Sequence, residues 1–393
     1  MWIESLKFLM FQSKIHDNES CPCGSGMLFK ECCKHKKAKQ NKSKVPPEVQ
    51  LMKRMRASMK KCCLHPDKEK CNRRIKEAHA LQNNKIISLL AGSERHVYML
   101  NAKRQPLLIP LENGEIVPIV EISKISANDA TTETCFCDYH DNVVFAPIEK
   151  GAPDFDSNSE EMKFVYAYKA FIFEYYKQMM GLQIYQNCFK DNPQAFLDKN
   201  SVGMYRMLQM KKAEFEPIKA AFDTQILAGT VEGICTCVVR IPFQIAFADY
   251  AYIAPDYDMD GYRIRHTSKG IMHRLAITIF PEQQCSWLLM SCLKTEEGVY
   301  KRLFSQAQEA TIDKLKFYLN TMLPLYSENM VLSPNLWMTW DEQTQMAYTY
   351  YANLNGPQAR TMSMGIGMAL RNAHRGKSDY SGTPKINLFA VTH

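Results

Sequence analysis

Two cysteines one residue apart, followed eight residues later by an adjacent pair, constrain this chain more than any other feature. They sit in Cys21-Pro22-Cys23-Gly24-Ser25-Gly26-Met27-Leu28-Phe29-Lys30-Glu31-Cys32-Cys33. Cysteines so closely spaced do not bridge each other comfortably, but their thiolates can grip one soft cation. Gly24, Ser25 and Gly26 supply the tight turn of a chelate loop, because glycine reaches positive φ without steric cost. Met27 to Glu31 can then form a turn of helix that returns Cys32 and Cys33 to the same ion. Four sulfurs around a tetrahedral centre suit zinc, with Zn–S distances of about 2.3 Å. His35 competes with Cys33 for the fourth position. A segment this short has little core, so its metal-binding free energy is also its folding free energy.

The segment resembles the SEC-C motif, whose pattern is Cys-x-Cys, eight residues, then Cys followed by Cys or His. Cys21, Cys23, Cys32 and Cys33 match every ligand position, and Cys23-Gly24-Ser25-Gly26 with Lys30 matches the interior. The resemblance implies a portable attachment module. In the SecA motor the motif docks the chaperone SecB and the ribosome, so a protein partner such as a chaperone is the expectation it brings.

The chain has 393 residues, enough for two or three domains with proper cores. Its 14 cysteines come without a secretory pattern, which points to a reducing compartment where paired cysteines hold metal more often than they form disulfides. Glu4 and Lys7 interrupt the apolar residues 1–12, and no small-residue cleavage site follows. No run reaches the roughly eighteen apolar residues of a membrane span. These features predict a soluble, cytoplasmic protein with no membrane contact.

Charge is unevenly placed. Residues 1–80 hold 19 Lys and Arg against 8 Asp and Glu, a surplus of 11, whereas the whole chain carries only +8. The excess lies in residues 30–61: Lys30, Lys34, Lys36, Lys37, Lys39, Lys42, Lys44, Lys53, Arg54, Arg56, Lys60 and Lys61. A solvated linker with a hinge at Lys42 to Pro47 accounts for part of it. A basic block between two metal modules is also how a protein holds phosphate backbones, through counterion release. Nucleic acid or ribosome contact through residues 30–61 is therefore expected, and it should weaken steeply with salt.

A second constellation begins at Cys62-Cys63-Leu64-His65-Pro66, continues to Cys71 and Ile75-Lys76-Glu77-Ala78-His79, and resumes at Thr134-Cys135-Phe136-Cys137-Asp138-Tyr139-His140-Asp141-Asn142. Between these lie strand-like pieces, His96 to Leu100, Pro106 to Pro110 and Glu115 to Glu121, with Asn113-Gly114 as a hairpin turn. Cys137-x-x-His140 has the spacing of a ligand pair at the start of a helix. With Cys63 and Cys71 it completes a Cys₃His zinc site on a treble-clef plan, for which Cys62, Cys135 and His65 are possible substitutes.

The same residues resemble a diverged HNH endonuclease core, in which metal-ligand pairs flank a β-hairpin. By that resemblance His79 sits where the family keeps its general base. Asp141 or Asn142 sits where it holds a catalytic divalent cation, Mg²⁺ or Mn²⁺. The family's metal-binding Asp before its His is Ala78 here, and Glu77 would have to substitute. The alternative is a structural zinc ribbon with His79 as a ligand or as a buried, hydrogen-bonded side chain.

After Pro153 the pattern changes. Ser159-Glu160-Glu161 caps a long amphipathic helix expected to stop at Gly181, with Phe164, Tyr168, Phe171, Ile172, Tyr175 and Tyr176 as its core face. A second helix spans Met204 to Phe222, interrupted near Pro217. Strands are predicted at Ile234 to Ile241, Gln244 to Ile253, Tyr262 to Arg265, Ile271 to Phe280 and Ser286 to Leu293. Cys235, Cys237, Cys285 and Cys292 read as buried thiols of that sheet rather than metal ligands. Asp256-Tyr257-Asp258-Met259-Asp260-Gly261 spells the opening of a calcium loop, but its twelfth position is Thr267 where Glu is needed, so it reads as an acidic hairpin turn. Helices return over Glu296 to Leu325, from Ser333-Pro334 toward Leu354, and at Gly365 to Arg371. The tail from Gly376 reads as loosely packed.

The fold class is thus α+β: zinc-knuckle modules, then a mixed body with an antiparallel sheet and several helices. The expected organisation is a SEC-C-like module with its N-terminal segment (1–40), a basic linker (41–61), a treble-clef or HNH-like domain (62–152) and a body (153–393). Two functions stand. One is a zinc protein that contacts nucleic acid or nucleoprotein, in one form a diverged nuclease with a bacterial stress or phage-defence role. The other is a non-enzymatic adaptor that docks a chaperone or ribosome. Oligomeric state stays open.

Overall fold

A computed structural model describes residues 14–36, 57, 59–101, 106–110, 116–149, 151–152, 154–192, 195, 197–265, 267–268, 271–354, 356–378 and 386–391. The N-terminal segment, most of the basic linker and the Asn113-Gly114 turn lie outside the described residues.

In chain order the elements begin with β1 (Ile75–His79), α1 (Ser88–Ala91), β2 (His96–Leu100), β3 (Leu107–Pro110), β4 (Ile116–Ile119), β5 (Ile122–Ser126), β6 (Thr132–Cys137) and α2 (Asp138–Val144). Two long helices follow, α3 (Glu160–Asp191) and α4 (Lys199–Ala228). Next come β7 (Ile234–Ile241), β8 (Phe247–Ile253), β9 (Thr267–Ser268), β10 (Ile271–Met272), β11 (Leu275–Pro281) and β12 (Ser286–Leu293). The described chain closes with α5 (Glu297–Glu309), α6 (Ile312–Tyr326), β13 (Val331–Leu332), α7 (Pro334–Thr339), α8 (Glu342–Ala352) and α9 (Gly356–His374). All described strand pairs are antiparallel, and the fold class is α+β.

Two compact units divide the chain. One takes its described residues from Met1–Cys62 and Glu174–Ala220, the other from Cys63–Phe173 and Ala221–His393. The larger unit is built on a seven-stranded sheet in the order β5-β2-β13-β8-β11-β12-β7. Strands from residues 62–152 and from 153–393 therefore share one sheet and one unit. β8 and β11, central in the sheet, are buried along their whole length. Ile277, Leu288, Tyr318, Leu332 and Trp337 belong to the core that joins the sheet to its helices.

Several local expectations change. Tyr262 to Arg265 forms no strand; the chain there makes one bridge, Tyr257 with Arg263. The cause is local: the Asp258 carboxylate accepts the backbone N–H of Asp260 (3.0 Å) and Tyr262 (2.9 Å), and Gly261 turns at φ +76°. Such side-chain bonds compete with a ladder. Ile271 to Phe280 divides into β10 and β11, and the strand expected from Gln244 starts at Phe247. The helix from Ser333 ends at Thr339, because Asp341 caps a new one by accepting the Thr344 N–H at 2.8 Å. The last helix is longer than expected, Gly356–His374. Ile386, Leu388 and Phe389 of the tail are packed in the core, with the Leu388 N–H donating to Asn320 Oδ1 at 2.9 Å.

In the smaller unit, Leu182, Phe189, Val202, Tyr205 and Leu208 pack together. Gly181 does not stop α3. A Cβ there would stand 3.3 Å from Leu208 Cδ2, so the missing side chain lets Leu208 close in. Pro217 is likewise inside α4, between the buried Phe215 and Ile218, whose packing offsets the lost backbone donor. The aromatic face of α3 is buried at all six expected positions. Among the described residues no helix is long and apolar enough to cross a membrane.

Candidate metal centres

The first cluster forms as its spacing requires. Gly24 and Gly26 adopt φ of +77° and +78°, and the Cys21 N–H donates to the Met27 carbonyl at 2.7 Å, closing the loop. Phe29–Glu31 makes one 3₁₀ turn, with Phe29 buried beneath it, and this brings Cys32 and Cys33 back to the loop. Cys23 Sγ and Cys32 Sγ are 3.6 Å apart, and Cys32 Sγ and Cys33 Sγ 3.7 Å. Sulfurs sharing one tetrahedral zinc stand about 3.8 Å apart, given Zn–S distances of about 2.3 Å. The four ligand atoms all lie within 4.8 Å of one another, with Cys33 in the set.

Burial pushes the Cys21 thiol up to about 11. At Cys23 burial acts the same way, but hydrogen bonds from Ser25 and the neighbouring thiols outweigh it and bring the group down to about 6. One thiolate thus stands ready beside the protonated Cys21 thiol, and a bound cation displaces that proton. Arg206 of α4 pairs with Glu19 at the base of this loop.

The second cluster gathers Cys63, Cys71, Cys137 and His140, again within 4.8 Å. β1 pairs with β6 from Ile75 opposite Cys137 to His79 opposite Thr132, with a bulge between Lys76 and Ala78. Cys137 ends β6 and stands at the N-cap of α2, which puts His140 in the helix's first turn. The knuckle is tied to this hairpin by the Leu64 N–H donating to the Cys135 carbonyl at 2.9 Å. His140 Nδ1 lies 3.4 Å from Cys63 Sγ and 3.3 Å from Cys137 Sγ. Sulfur and nitrogen on one zinc stand about 3.5 Å apart, so the set fits the ion. Burial pushes the Cys63 thiol up to about 11 and holds the His140 imidazole down, which favours the neutral ligand form.

Of the substitutes weighed, Cys62 and Cys135 lie outside the cluster, and His65 stacks against His140 instead of joining it. Sequence reading had no signal for that stack, nor for Lys76. The Lys76 ammonium reaches from β1 to the first turns of α2, 2.7 Å from Asp141 Oδ2, 3.1 Å from Asn142 Oδ1 and 3.7 Å from Asp138 Oδ1. Lys76 and Asp141 are 65 positions apart in the sequence, and only the β1–β6 register joins them. His79 stands at the end of β1, with Nδ1 2.9 Å from the Ala130 carbonyl, and burial holds its imidazole below the usual range. The buried Lys169 pairs with Glu149, and its charge also acts on His79.

The acidic loop is a turn whose carboxylates are spent internally. Asp258 pairs with Arg302, and Asp260 with Lys314, Arg302 and His374. Asp256 accepts from the Tyr326 and Ser363 hydroxyls. Cys237, Cys285 and Cys292 are buried thiols and Cys235 is half-buried.

The family model of the SEC-C motif matches residues 18–34, the stretch that holds the first cluster. No curated protein and no solved structure matches the chain. The motif and the two clusters together suggest zinc binding.

Proposed function

We propose that the chain is a zinc-stabilised protein of the cytoplasm that binds nucleic acid, and that β1, β6 and α2 form an HNH-like, treble-clef core that holds a phosphodiester without cutting it. The observation that carries this reading is Lys76. Its ammonium lies against Asp141 and Asn142, where the HNH resemblance expects a divalent cation, and Ala78 replaces the carboxylate that would complete that cation's shell. These side chains do not fit a catalytic Mg²⁺ or Mn²⁺. A lysine there stands in the cation's place as a point charge, and it holds a phosphate by exchanging its Asp141 and Asp138 partners for it, without polarising it for hydrolysis. Zinc at each cluster supplies folding free energy. The basic residues of 30–61 add affinity through counterion release.

Fluorescence anisotropy with a short labelled DNA duplex and a single-stranded RNA tests this. Binding should weaken steeply with added salt and fall several-fold in Lys76→Ala, with neither probe degraded in Mg²⁺ or Mn²⁺. Absence of binding at low salt would overturn the reading.

Two specific observations favour other readings. His79 Nδ1 on the Ala130 carbonyl leaves Nε2 able to take a proton, as a nuclease base would. Cleavage that needs both a divalent cation and His79 would therefore establish a nuclease. The SEC-C match favours an adaptor: retention of ribosomes or of a SecB-type chaperone, lost in Cys21→Ser with Cys23→Ser and unaffected by Lys76→Ala, would establish that role.

A further inference from the structure

A cavity of about 260 Å³ opens in the larger unit between the turn preceding α1 and the hairpin joining β11 to β12. Its apolar wall is aromatic. Tyr166 and Phe280 stack with centroids 4.9 Å apart and planes at 17°, and Phe155 stands edge-on to them at 5.8 and 6.0 Å. Gln82 lines the same space. It is 5% exposed, and its Nε2 has no hydrogen-bond partner among the described residues. A buried amide donor left unpaired is costly, so a native one calls for an explanation.

Lys85 brings an ammonium to the cavity, donating to the Ala152 carbonyl at 2.6 Å and to Asp154 Oδ1 at 3.3 Å. Asp154 is 80% exposed, and an ion pair that wet is easily exchanged. Asn83–Ile87, which carries Lys85, is a π-helical turn, a rare geometry that recurs at functional sites.

Each feature selects part of a ligand. An aromatic wall favours an aromatic ring over an aliphatic chain. The orphan amide donor favours a ring whose edge carries a carbonyl oxygen or an unprotonated nitrogen. The ammonium favours an anionic substituent on the same molecule. A heteroaromatic base joined to a phosphate meets all three requirements.

We infer that this cavity binds a nucleotide by its base, with Gln82 Nε2 donating to the base edge and Lys85 exchanging Asp154 for the phosphate. The source is either a free mononucleotide or one base of a single strand. The inference does not rest on the metal centres or on the HNH-like reading.

Calorimetric titration of the full zinc-loaded chain with AMP, GMP, CMP and UMP, and with a short single-stranded oligonucleotide, tests it. At least one mononucleotide should saturate a site at sub-millimolar concentration. Gln82→Leu and Lys85→Ala should each weaken it about tenfold or more, the usual worth of a charged or buried hydrogen bond. Gln82→Leu removes the orphan donor and fills the same space, so its melting temperature should match or exceed wild type. An oligonucleotide that binds no tighter than the monomer assigns a free nucleotide. Tighter oligonucleotide binding that the monomer competes away assigns a strand. Absence of saturable binding to every probe, or binding unchanged in both variants, would overturn the inference.

Discussion

His65 lies flat against His140, with ring centroids 3.8 Å apart and planes 11° from parallel. Metal-bound histidines are usually oriented by a hydrogen bond at the nitrogen that does not ligate. Here His140 Nε2 is buried without such a partner among the described residues, so the stacked ring does the orienting. His65 is itself fixed, because the Asp67 N–H donates to its Nδ1 at 3.1 Å. Burial, then the neighbouring His140, holds His65 down to about 4, so the stacked ring is neutral at physiological pH.

Removing the stack should therefore loosen the second cluster alone. His65→Ala is expected to weaken zinc there by about 10- to 100-fold, the usual cost of losing an orienting neighbour. His65→Phe keeps a flat ring and should restore most of the affinity. Competition with a chromophoric chelator measures both. Unchanged affinity in His65→Ala would mean that the Cys63, Cys71 and Cys137 knuckle fixes His140 unaided.

The two clusters lie in different units, which predicts separable losses. Cys21→Ser with Cys23→Ser should remove one zinc per chain and unfold the loop of residues 20–33, since that loop's buried residues are little more than Phe29 and the cysteines themselves. The seven-stranded sheet should keep its thermal transition. Native mass spectrometry counts the metal, and calorimetry follows the sheet. Collapse of the sheet's transition with loss of the first zinc would contradict this independence.

Local chemistry was the legible part of this chain. Cys21 to Cys33 could be read because ligand spacing, glycine turns and metal geometry all act within thirteen residues. β7 and β12 have the expected bounds, β7 from its β-branched residues and β12 from a short apolar run that carries Trp287. Gly181 and Pro217 misled for one shared reason: propensity treats both as breakers, whereas packing against Leu208 and through Phe215 and Ile218 carries the helices past them. Lys76 on Asp141, and β2 and β5 joining the sheet of residues 234–293, depend on register between distant segments. No periodicity encodes that register.

Asp260 gives a pH signature. Its carboxylate meets Lys314 Nζ at 2.6 Å, Gln306 Nε2 at 2.7 Å, and Arg302 Nη2 and His374 Nδ1 at 3.1 Å. Burial works against the ionised form, but the Lys314 hydrogen bond and charge, with Arg302 and His374, hold the group below the usual carboxylate range. The unfolded chain would take up this proton near pH 3.9 and the folded chain only at lower pH. The stabilisation is therefore full above about pH 4 and is lost as pH falls through the folded value. Asp260→Asn should cost about 1–2 kcal/mol at pH 7 by urea unfolding, because the cations it leaves are partly exposed. It should also flatten the acid limb of the stability curve, and a limb of unchanged steepness would place the titrating group elsewhere.

Lys169 and Glu149 form an unequal pair, and the inequality sets the last prediction. The lysine side chain is 2% exposed and the glutamate 28%, and Lys169 Nζ also lies 4.6 Å from the centre of the Phe145 ring. Removing the wetter partner strands the drier charge. Glu149→Leu should thus cost about 3–5 kcal/mol, the range for an uncompensated buried ion, and Lys169→Met distinctly less. The double variant should recover much of the loss, because an apolar pair of similar size needs no desolvation of charge. A double-mutant cycle by urea unfolding reads the coupling directly, and additive costs would show that the two side chains do not act as a pair. His79 supplies an independent reading. Burial first, and the Lys169 charge in addition, hold its imidazole low, so Lys169→Met should move the His79 titration upward in NMR spectra. A His79 titration unmoved by that change would leave burial alone as the cause.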